Sequence, residues 1–235
     1  MLTLHQRLDR LRHLGIACFQ QHHRELIPVF APHIPAEAVV LDVGAHAGQF
    51  AKLFAAMAPK GRVYAFEPSA YARSILQTAL AWNRVRNVQV VATGLSDAPG
   101  EAVLSTPIKS RGGLGFGLAS LGGTSGGRAS SDQTVPLQTL DAFADAEGLA
   151  RLDFLKADVE GWEIHVVRGG LKTLARFRPA LFLEVSQEAL GRAGETPETL
   201  WTLLAPMGYR ALKAPDFKPV AAFDGTADYL FVAGG

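Results

Sequence analysis

The chain has 235 residues, of which 48% are hydrophobic and 19% are charged. This length suits one large domain or two small ones, and the composition is that of an ordinary globular protein. The net charge of +1 gives no electrostatic reason to expect nucleic acid or an anionic membrane surface as a partner. Cys18 is the single cysteine, which excludes an intrachain disulfide framework and a cysteine-based zinc site. No apolar run is long enough to span a membrane, so we expect a cytoplasmic protein.

The N-terminal segment carries leucines at helical spacing. This pattern predicts one amphipathic helix over residues 3–25, ended by the prolines that follow. His13, His22 and His23 lie in or beside it without acidic or cysteine companions. We therefore interpret these histidines as solvent-facing side chains and not as metal ligands.

Strand and helix patterns alternate from Val39 to the end of the chain. The predicted strands are 39–43, 62–66, 88–93, 154–158, 180–185, 209–213 and 229–233, with Glu101–Ser105 as a possible hairpin arm behind the third. The predicted helices lie near 48–57, 69–82, 139–148, 161–176 and 197–206. Such alternation is typical of a mostly parallel sheet with helices on both faces, and the last two strands suit an antiparallel hairpin. We predict an α/β, Rossmann-like, doubly wound domain with a seven-stranded sheet over residues 36–235, preceded by a helical extension at 1–35.

One segment interrupts the alternation. Residues 109–131 are rich in glycine and serine and show no periodicity. Irregular loops of this length are usually functional or disordered. We interpret the segment as a lid beside the site, with Leu114, Phe116 and Leu121 as substrate contacts, or alternatively as a passive insertion.

The first chemical motif is the run VVLDVGAHAG at residues 39–48. An apolar strand leads through Asp42 into a small-residue turn, and a helix follows. A dinucleotide fold needs G-x-G-x-x-G for the backbone to approach a pyrophosphate, whereas Gly44 and Gly48 are spaced G-x-x-x-G. An acid before the turn would repel a pyrophosphate but suits a cation or an amino group. S-adenosylmethionine has a sulfonium, an amino-acid head and no phosphate, so it is the better fit.

The second motif is RVYAFEP at residues 62–68, an apolar strand that ends in Glu67. An acid about 20 residues after the glycine turn commonly accepts hydrogen bonds from ribose hydroxyls. Either motif alone is weak, but together they indicate a cofactor that contains adenosine. The alternative is a plain α/β turn followed by an exposed Glu67.

The third motif is LKADVEGWE at residues 155–163. Because side chains alternate along a strand, Lys156, Asp158 and Glu160 are predicted on one side near its carboxyl end, where ligands bind in open α/β sheets. Close charges shift one another's pKa and so prepare a general base. Glu184 should reach the same rim from the neighbouring strand. We favour a structural ion pair with Glu184 for Lys156, and a functional contribution for the other two carboxylates.

In this order, the motifs resemble the FkbM family of S-adenosylmethionine-dependent methyltransferases. The likeness runs from about Val39 to Val185, and the D-V-E-G block together with the F-E-P block is far more specific than either alone. The resemblance implies a class I methyltransferase fold and O-methylation of hydroxyls on sugars, polyketides or other small metabolites. The matching stretches are VVLDVGAHAGQF, GRVYAFEPSA, NVQVVATGLSDAPG, TLD, LDFLKADVEGWEIHVVRGG and RPALFLEV.

The resemblance also implies a set of contacts to the cofactor. The methionine portion would be held by Asp42, Gly44, Ala45 and Gly48, the ribose by Glu67, Pro68 and Ser69, and the adenine by Leu95, Ser96 and Asp97. Asp158 and Glu160 would lie at the methyl-transfer centre, with Asp158 also near the cofactor. His46 stands where the family usually has asparagine, so its contact with the cofactor differs from the family pattern.

Methyl transfer to a hydroxyl is an in-line displacement that needs alignment, exclusion of water and a base within hydrogen-bond reach. Asp158 or Glu160 is the best-placed base. Carboxylates also bind Mg²⁺, but nothing in the sequence requires a metal, and none is predicted. The expected partner is a small molecule with a hydroxyl group, and the oligomeric state is open.

Three other functions compete with this hypothesis. A nucleotide-dependent oxidoreductase would use the same fold, but the middle glycine of its G-x-G-x-x-G turn is missing from this sequence. A non-catalytic binding protein would have no physical need for Asp42, Glu67 and Asp158 together. A macromolecular methyltransferase is disfavoured by the nearly neutral charge and the lack of an added RNA-binding module.

Overall fold

The computed structural model describes residues 4–107, 120–121 and 130–234. The helices are α1 (Leu4–Phe19), α2 (Ile27–Phe30), α3 (Gln49–Met57), α4 (Ala70–Trp82), α5 (Leu140–Ala146), α6 (Glu163–Arg168), α7 (Leu171–Phe177), α8 (Gln187–Arg192) and α9 (Glu198–Leu204). Short 3₁₀ turns lie at Arg24–Leu26 and Ala205–Met207. Within this part of the chain, no helix is long and apolar enough to cross a membrane.

The strands form two sheets. They are β1 (Val39–Val43), β2 (Arg62–Phe66), β3 (Val88–Val91), β4 (Gly94–Leu95), β5 (Gly100–Pro107), β6 (Ser120–Leu121), β7 (Ser130–Gln138), β8 (Phe154–Ala157), β9 (Ala180–Val185), β10 (Tyr209–Lys213), β11 (Lys218–Val220) and β12 (Ala227–Ala233). The large sheet has the order β11-β10-β12-β9-β8-β1-β2-β3, and the small one has the order β4-β7-β5-β6.

The large sheet has the predicted architecture. Strands β9, β8, β1, β2 and β3 are parallel, and β12 and β10 add an antiparallel pair beside β9. Its two faces bury separate apolar clusters, one containing Leu41 and Leu155 and the other Val40 and Phe154. The mostly parallel α/β fold is therefore confirmed, but the sheet has eight strands and not seven, because β11 adds an edge strand.

The small sheet was not predicted. Glu101–Ser105 lies in β5, which pairs antiparallel with β7 and not behind the third strand of the large sheet. Most of the predicted lid, including Leu114 and Phe116, lies outside the described residues. Within the described part, Leu121 belongs to β6 and stands opposite Leu104 of β5.

Two predicted helices differ from the structure. The helix expected at 161–176 is divided into α6 and α7 at Gly169 and Gly170. A Cβ atom on Gly169 would lie 2.0 Å from the Ser96 carbonyl oxygen, so the chain needs glycine at this close approach. The N-terminal helix ends at Phe19, and Pro28 lies in the first turn of α2, where a missing N–H group has no cost.

The segment predicted as an extension contributes to the core through Phe30. This side chain is fully buried, and its ring lies 4.9 Å from that of Phe154 and 5.0 Å from that of Phe182. Residues near the N-terminus therefore pack against strands β8 and β9. We propose that the segment folds as part of the methyltransferase domain.

Phe30→Ala should lower the free energy of unfolding by about 3–5 kcal/mol, because it removes a buried ring and leaves a cavity. Phe19→Ala is the matched control, since Phe19 is 72% exposed, and should cost less than about 1 kcal/mol. Denaturant titration measures both. Equal, small losses would show that the N-terminal segment does not contribute to the core.

Candidate active site

The carboxyl ends of β1, β2 and β8 border a cavity of about 340 Å³. This is where ligands bind in open α/β sheets. The predicted site residues that line it are Gly44, Ala45, His46, Glu67, Pro68, Ser69, Asp158 and Glu160. The structure thus brings together residues from all three sequence motifs.

The turn after β1 needs its two glycines. Gly44 has a φ of 75°, and a Cβ atom there would lie 2.0 Å from the Asp158 carbonyl oxygen. Gly48 has a φ of 86°, and its Cβ atom would lie 2.4 Å from Leu76. The amides of Gly44 and Ala45 both donate to the Phe66 carbonyl at 3.0 Å. The backbone of this turn therefore passes against its neighbours and forms one wall of the cavity, although Gly48 itself packs behind it.

Lys156 occupies the centre of the site beneath the turn. It is 2% exposed, and its Nζ atom lies 3.5 Å from Asp42 Oδ1 and 3.7 Å from Asp158 Oδ2. The ammonium also donates to the carbonyls of Val43 and Gly44 at 3.3 and 3.0 Å. The structural function predicted for Lys156 is therefore supported, but the predicted partner was wrong: the ion pairs are with Asp42 and Asp158 and not with Glu184.

Burial and the neighbouring charges have opposite effects on the pKa of Lys156. Desolvation alone would lower the pKa of Lys156, but the carboxylates of Asp158 and Asp42 raise it above its ordinary value. Burial raises the pKa of Asp42, and Lys156 opposes that rise. Asp42 is fully buried, so it supports the floor of the site through Lys156 and does not line the cavity.

Glu67 presents a buried carboxylate to the cavity. It is 6% exposed, and it accepts hydrogen bonds from the amides of His46 at 2.7 Å and Ser69 at 2.8 Å. Burial raises its pKa to about 7, against the effect of these two amides. A carboxylate has about four lone-pair sites, so acceptor capacity remains for two hydroxyls. The alternative of an exposed Glu67 is excluded.

The residues implied for the adenine do not line this cavity. Leu95 and Ser96 are buried, and Trp162 Nε1 donates to Ser96 Oγ at 3.1 Å. Ser96 Oγ in turn lies 3.1 Å from Asp97 Oδ1. Ser96 therefore contacts the Trp162 indole outside the cavity lining, and the contact of all three residues with adenine stays a prediction.

Three carboxylates converge beside the cavity. One oxygen from each of Asp158, Glu160 and Glu184 lies within 4.8 Å of the others. Burial, followed by the charge of Asp158, raises the pKa of both Glu160 and Glu184. Such a group of oxygens is suited to holding a proton, and its chemistry also suits a divalent cation. Glu184 thus reaches the rim predicted for it.

The turn that carries Asp158 and Glu160 is not an extension of the strand. Strand β8 ends at Ala157, and Glu160 has a φ of 56°, so strand alternation does not explain why both line the cavity. Glu163, which no sequence motif singled out, holds the turn instead. It is 1% exposed, and its Oε1 accepts from the amides of Val159 at 2.9 Å and Gly161 at 3.4 Å.

Two further site residues come from the N-terminal segment. His22 and His23 line the cavity together with Phe50, and the His23 ring stacks on Phe50 at 4.2 Å with an interplanar angle of 10°. His22 is exposed, as predicted, but His23 is only partly exposed. The sequence interpretation of both histidines as ordinary solvent-facing side chains did not place them in the cavity wall, because His22 and His23 lie some distance along the chain from the three motifs.

Known proteins settle the family. The sequence matches the Methyltransferase FkbM domain over residues 42–211. The chain belongs to this family. It is 30% identical to the AMB antimetabolite synthetase AmbE of Pseudomonas aeruginosa, over 83% of this chain but 10% of AmbE. It is 27% identical to the methyltransferase sdnD of Sordaria araneosa, over 58% of this chain and 62% of sdnD. The chain therefore spans less than two thirds of either relative.

Solved structures agree on the fold. A crystal structure of methyltransferase FkbM from Methylobacillus flagellatus superposes with a TM-score of 0.55 and 11% identity, covering 96% of this chain and 59% of that one. A putative rRNA-methylase from Clostridium thermocellum gives 0.52 and 8%, covering 92% and 99%. At these identities the likeness shows the class I methyltransferase fold alone. The resemblance to the FkbM family and the predicted fold are thus confirmed.

S-adenosylmethionine is the cofactor of this family's methyltransferase domain. The site fits it on three observations: a turn that only glycine allows at Gly44, a buried carboxylate at Glu67, and further carboxylates at Asp158 and Glu160. The first lets the turn pass against the Asp158 backbone at the cavity wall, the second suits ribose hydroxyls, and the third suits a positive charge. Hydride transfer, the oxidoreductase alternative, has no support from the family.

Glu67→Ala should weaken binding of S-adenosylhomocysteine at least tenfold, about 1.4 kcal/mol, because ribose hydroxyls lose a charged acceptor. Calorimetry measures the affinity. Glu147→Ala, at an exposed glutamate, is the control and should leave it unchanged. Unchanged affinity in Glu67→Ala would remove the ribose assignment.

Glu163 should make stability depend on pH in a predictable direction. Burial raises its pKa to about 7 from the ordinary 4.5, so between these values the folded state holds a proton that the unfolded state has lost. The contribution to stability is therefore present below pH 4.5 and is lost as pH rises through 7.

Glu163→Gln keeps an oxygen for the two amides but does not titrate. The free energy of unfolding of the native protein minus that of Glu163→Gln should fall by up to about 3 kcal/mol between pH 4.5 and 8. Denaturant titrations of both proteins across this range measure it. A difference independent of pH would contradict the raised pKa.

Proposed function

We propose that this protein transfers the methyl group of S-adenosylmethionine to a hydroxyl oxygen of a small molecule. The observation that carries the proposal is the cluster of Asp158, Glu160 and Glu184 at the edge of the cofactor cavity. A neutral hydroxyl is a weak nucleophile until a base takes its proton. A nitrogen or thiolate acceptor would have less need of such a cluster.

The carboxylates supply both orientation and proton acceptance. When bound, the cofactor supplies a methyl group on a positively charged sulfur. Asp158 or Glu160 accepts a hydrogen bond from the acceptor hydroxyl and fixes the direction of its lone pair. The raised pKa of Glu160 and of Glu184 makes each a stronger base than an ordinary carboxylate, so one of them accepts the released proton. Lys156, 3.7 Å from Asp158, keeps that carboxylate in place.

Exclusion of water completes the requirement for in-line transfer. His23 and Phe50, stacked face to face, cover one side of the cavity, and Leu104 of β5 contributes an apolar contact. A macromolecular acceptor has no supporting observation in the nearly neutral chain, and a cytoplasmic location and the exclusion of nucleic acid stay predictions.

Asp158→Asn, Glu160→Gln and Glu184→Gln keep the shape of each side chain but remove its basic oxygens. With radiolabelled S-adenosylmethionine and a library of hydroxylated small molecules, at least one variant should incorporate label at least a hundredfold more slowly, the usual scale for a general base. Binding of S-adenosylhomocysteine, measured by calorimetry, separates lost catalysis from lost cofactor affinity.

Glu147→Gln is the matched control at an exposed glutamate and should incorporate label at the native rate. Native rates in all three cluster variants would mean that proximity alone drives transfer or that another group is the base. Loss of the rate on chelation and its return with Mg²⁺ would instead assign the carboxylates to a metal site.

A further inference from the structure

A buried lysine on α3 holds the N-terminal wall of the cofactor cavity. Lys52 is 7% exposed, and its Nζ atom donates to the carbonyls of Ala17 at 2.6 Å and Gln20 at 2.9 Å. These carbonyls belong to the last turn of α1 and the residue just after it, where carbonyl groups lack intrahelical partners and the helix dipole favours a cation.

A second clamp lies three residues before Lys52, at the start of α3. Gln49 Oε1 accepts from the His22 amide at 3.2 Å, and the Gln49 carbonyl accepts from Gln21 Nε2 at 2.9 Å. Together with Lys52, these contacts fix residues 20–23 to the helix that follows the glycine turn. His23 then turns the chain with a φ of 64° and lies on Phe50.

Lys52 does not line the cavity, whereas His22 and His23 do. We infer that Lys52 is a positioning residue for cofactor binding: it anchors the C-terminus of α1 so that residues 20–23 cover the bound cofactor. The burial of the Lys52 ammonium supports this positioning function. Burial lowers the pKa of Lys52, and a buried cation is retained only where its hydrogen bonds compensate the lost water.

The anchor is coupled to the cofactor in both directions. A cofactor that contacts the wall formed by residues 20–23 binds more tightly when α1 is docked, and by linkage its binding must strengthen the docking of α1. A smaller cavity of about 180 Å³ lies beside this anchor, lined by Ile16 of α1 and by Tyr71 and Ile75 of α4 among others.

Lys52→Met keeps the length and apolar stem of the side chain but removes the ammonium. It should weaken the binding of S-adenosylhomocysteine five- to twentyfold by calorimetry. Lys60→Met is the control, because Lys60 is exposed near the end of the same helix, and it should bind as the native protein does. Native affinity in Lys52→Met would overturn the inference.

A double-mutant cycle distinguishes positioning from general stability. His23→Ala should weaken binding in the native protein but add little in Lys52→Met, since both substitutions remove the same wall. Fully additive effects would show that Lys52 does not act through residues 20–23. These measurements use cofactor binding, so they stand even if the methyl acceptor proves not to be a hydroxyl.

Hydrogen exchange on the native protein tests the same inference without a substitution, so the result does not depend on whether a variant folds. Adding S-adenosylhomocysteine should slow amide exchange at least fivefold over residues 14–23, with little change in α9, which lies away from the cavity. Unchanged exchange over residues 14–23 in the saturated protein would contradict the coupling and overturn the inference.

Discussion

One buried ammonium group connects the elements of the cofactor site. Asp42 and Lys156 are direct register partners on the parallel strands β1 and β8, and Asp158 follows one residue beyond the end of β8. The Lys156 side chain therefore contacts a carboxylate of the next strand, the carboxylate that follows its own strand, and the carbonyls of Val43 and Gly44 where β1 enters the turn. Removing one partner of a buried ion pair typically costs about 3–5 kcal/mol, because the other charge remains uncompensated.

This arrangement determines how the chemistry is placed. Lys156 lies beneath the cavity and orients Asp158, while Glu163 fixes the backbone of the turn through the amides of Val159 and Gly161. Glu160 and Glu184 have raised pKa values because both are partly buried and both lie beside the charge of Asp158. The Lys156 ammonium is thus buried against Asp42, and the carboxylates of Asp158 and Glu160 line the cavity.

The sequence predicted the features that depend on local pattern. The glycine turn and the acid after β2 could be read directly, because strand, turn and helix follow within a few residues. Lys156 was assigned the wrong partner, since its partner depends on which strand lies beside β8 and that order is not local information. The edge strand β11 was missed because it is short and contains Pro219, which weakens a strand pattern and is tolerated only at edges.

The N-terminal wall shows a second limit of sequence reasoning. His23 reaches the cavity through contacts of Lys52 and Gln49, which themselves carry no recognisable motif. Likewise, β5 and β7 pair across the glycine- and serine-rich segment, and no periodicity links the two strands. In both cases the functional geometry comes from tertiary contacts between segments that are individually unremarkable.

Methyl transfer to oxygen can be tested by carbon NMR of the product formed with S-adenosylmethionine labelled with ¹³C at the methyl group, after the acceptor has been purified from reactive fractions of a metabolite mixture. We expect a labelled methyl carbon bonded to oxygen, absent when Asp158, Glu160 and Glu184 are all replaced by their amides. A labelled methyl carbon bonded to nitrogen, sulfur or carbon would contradict it.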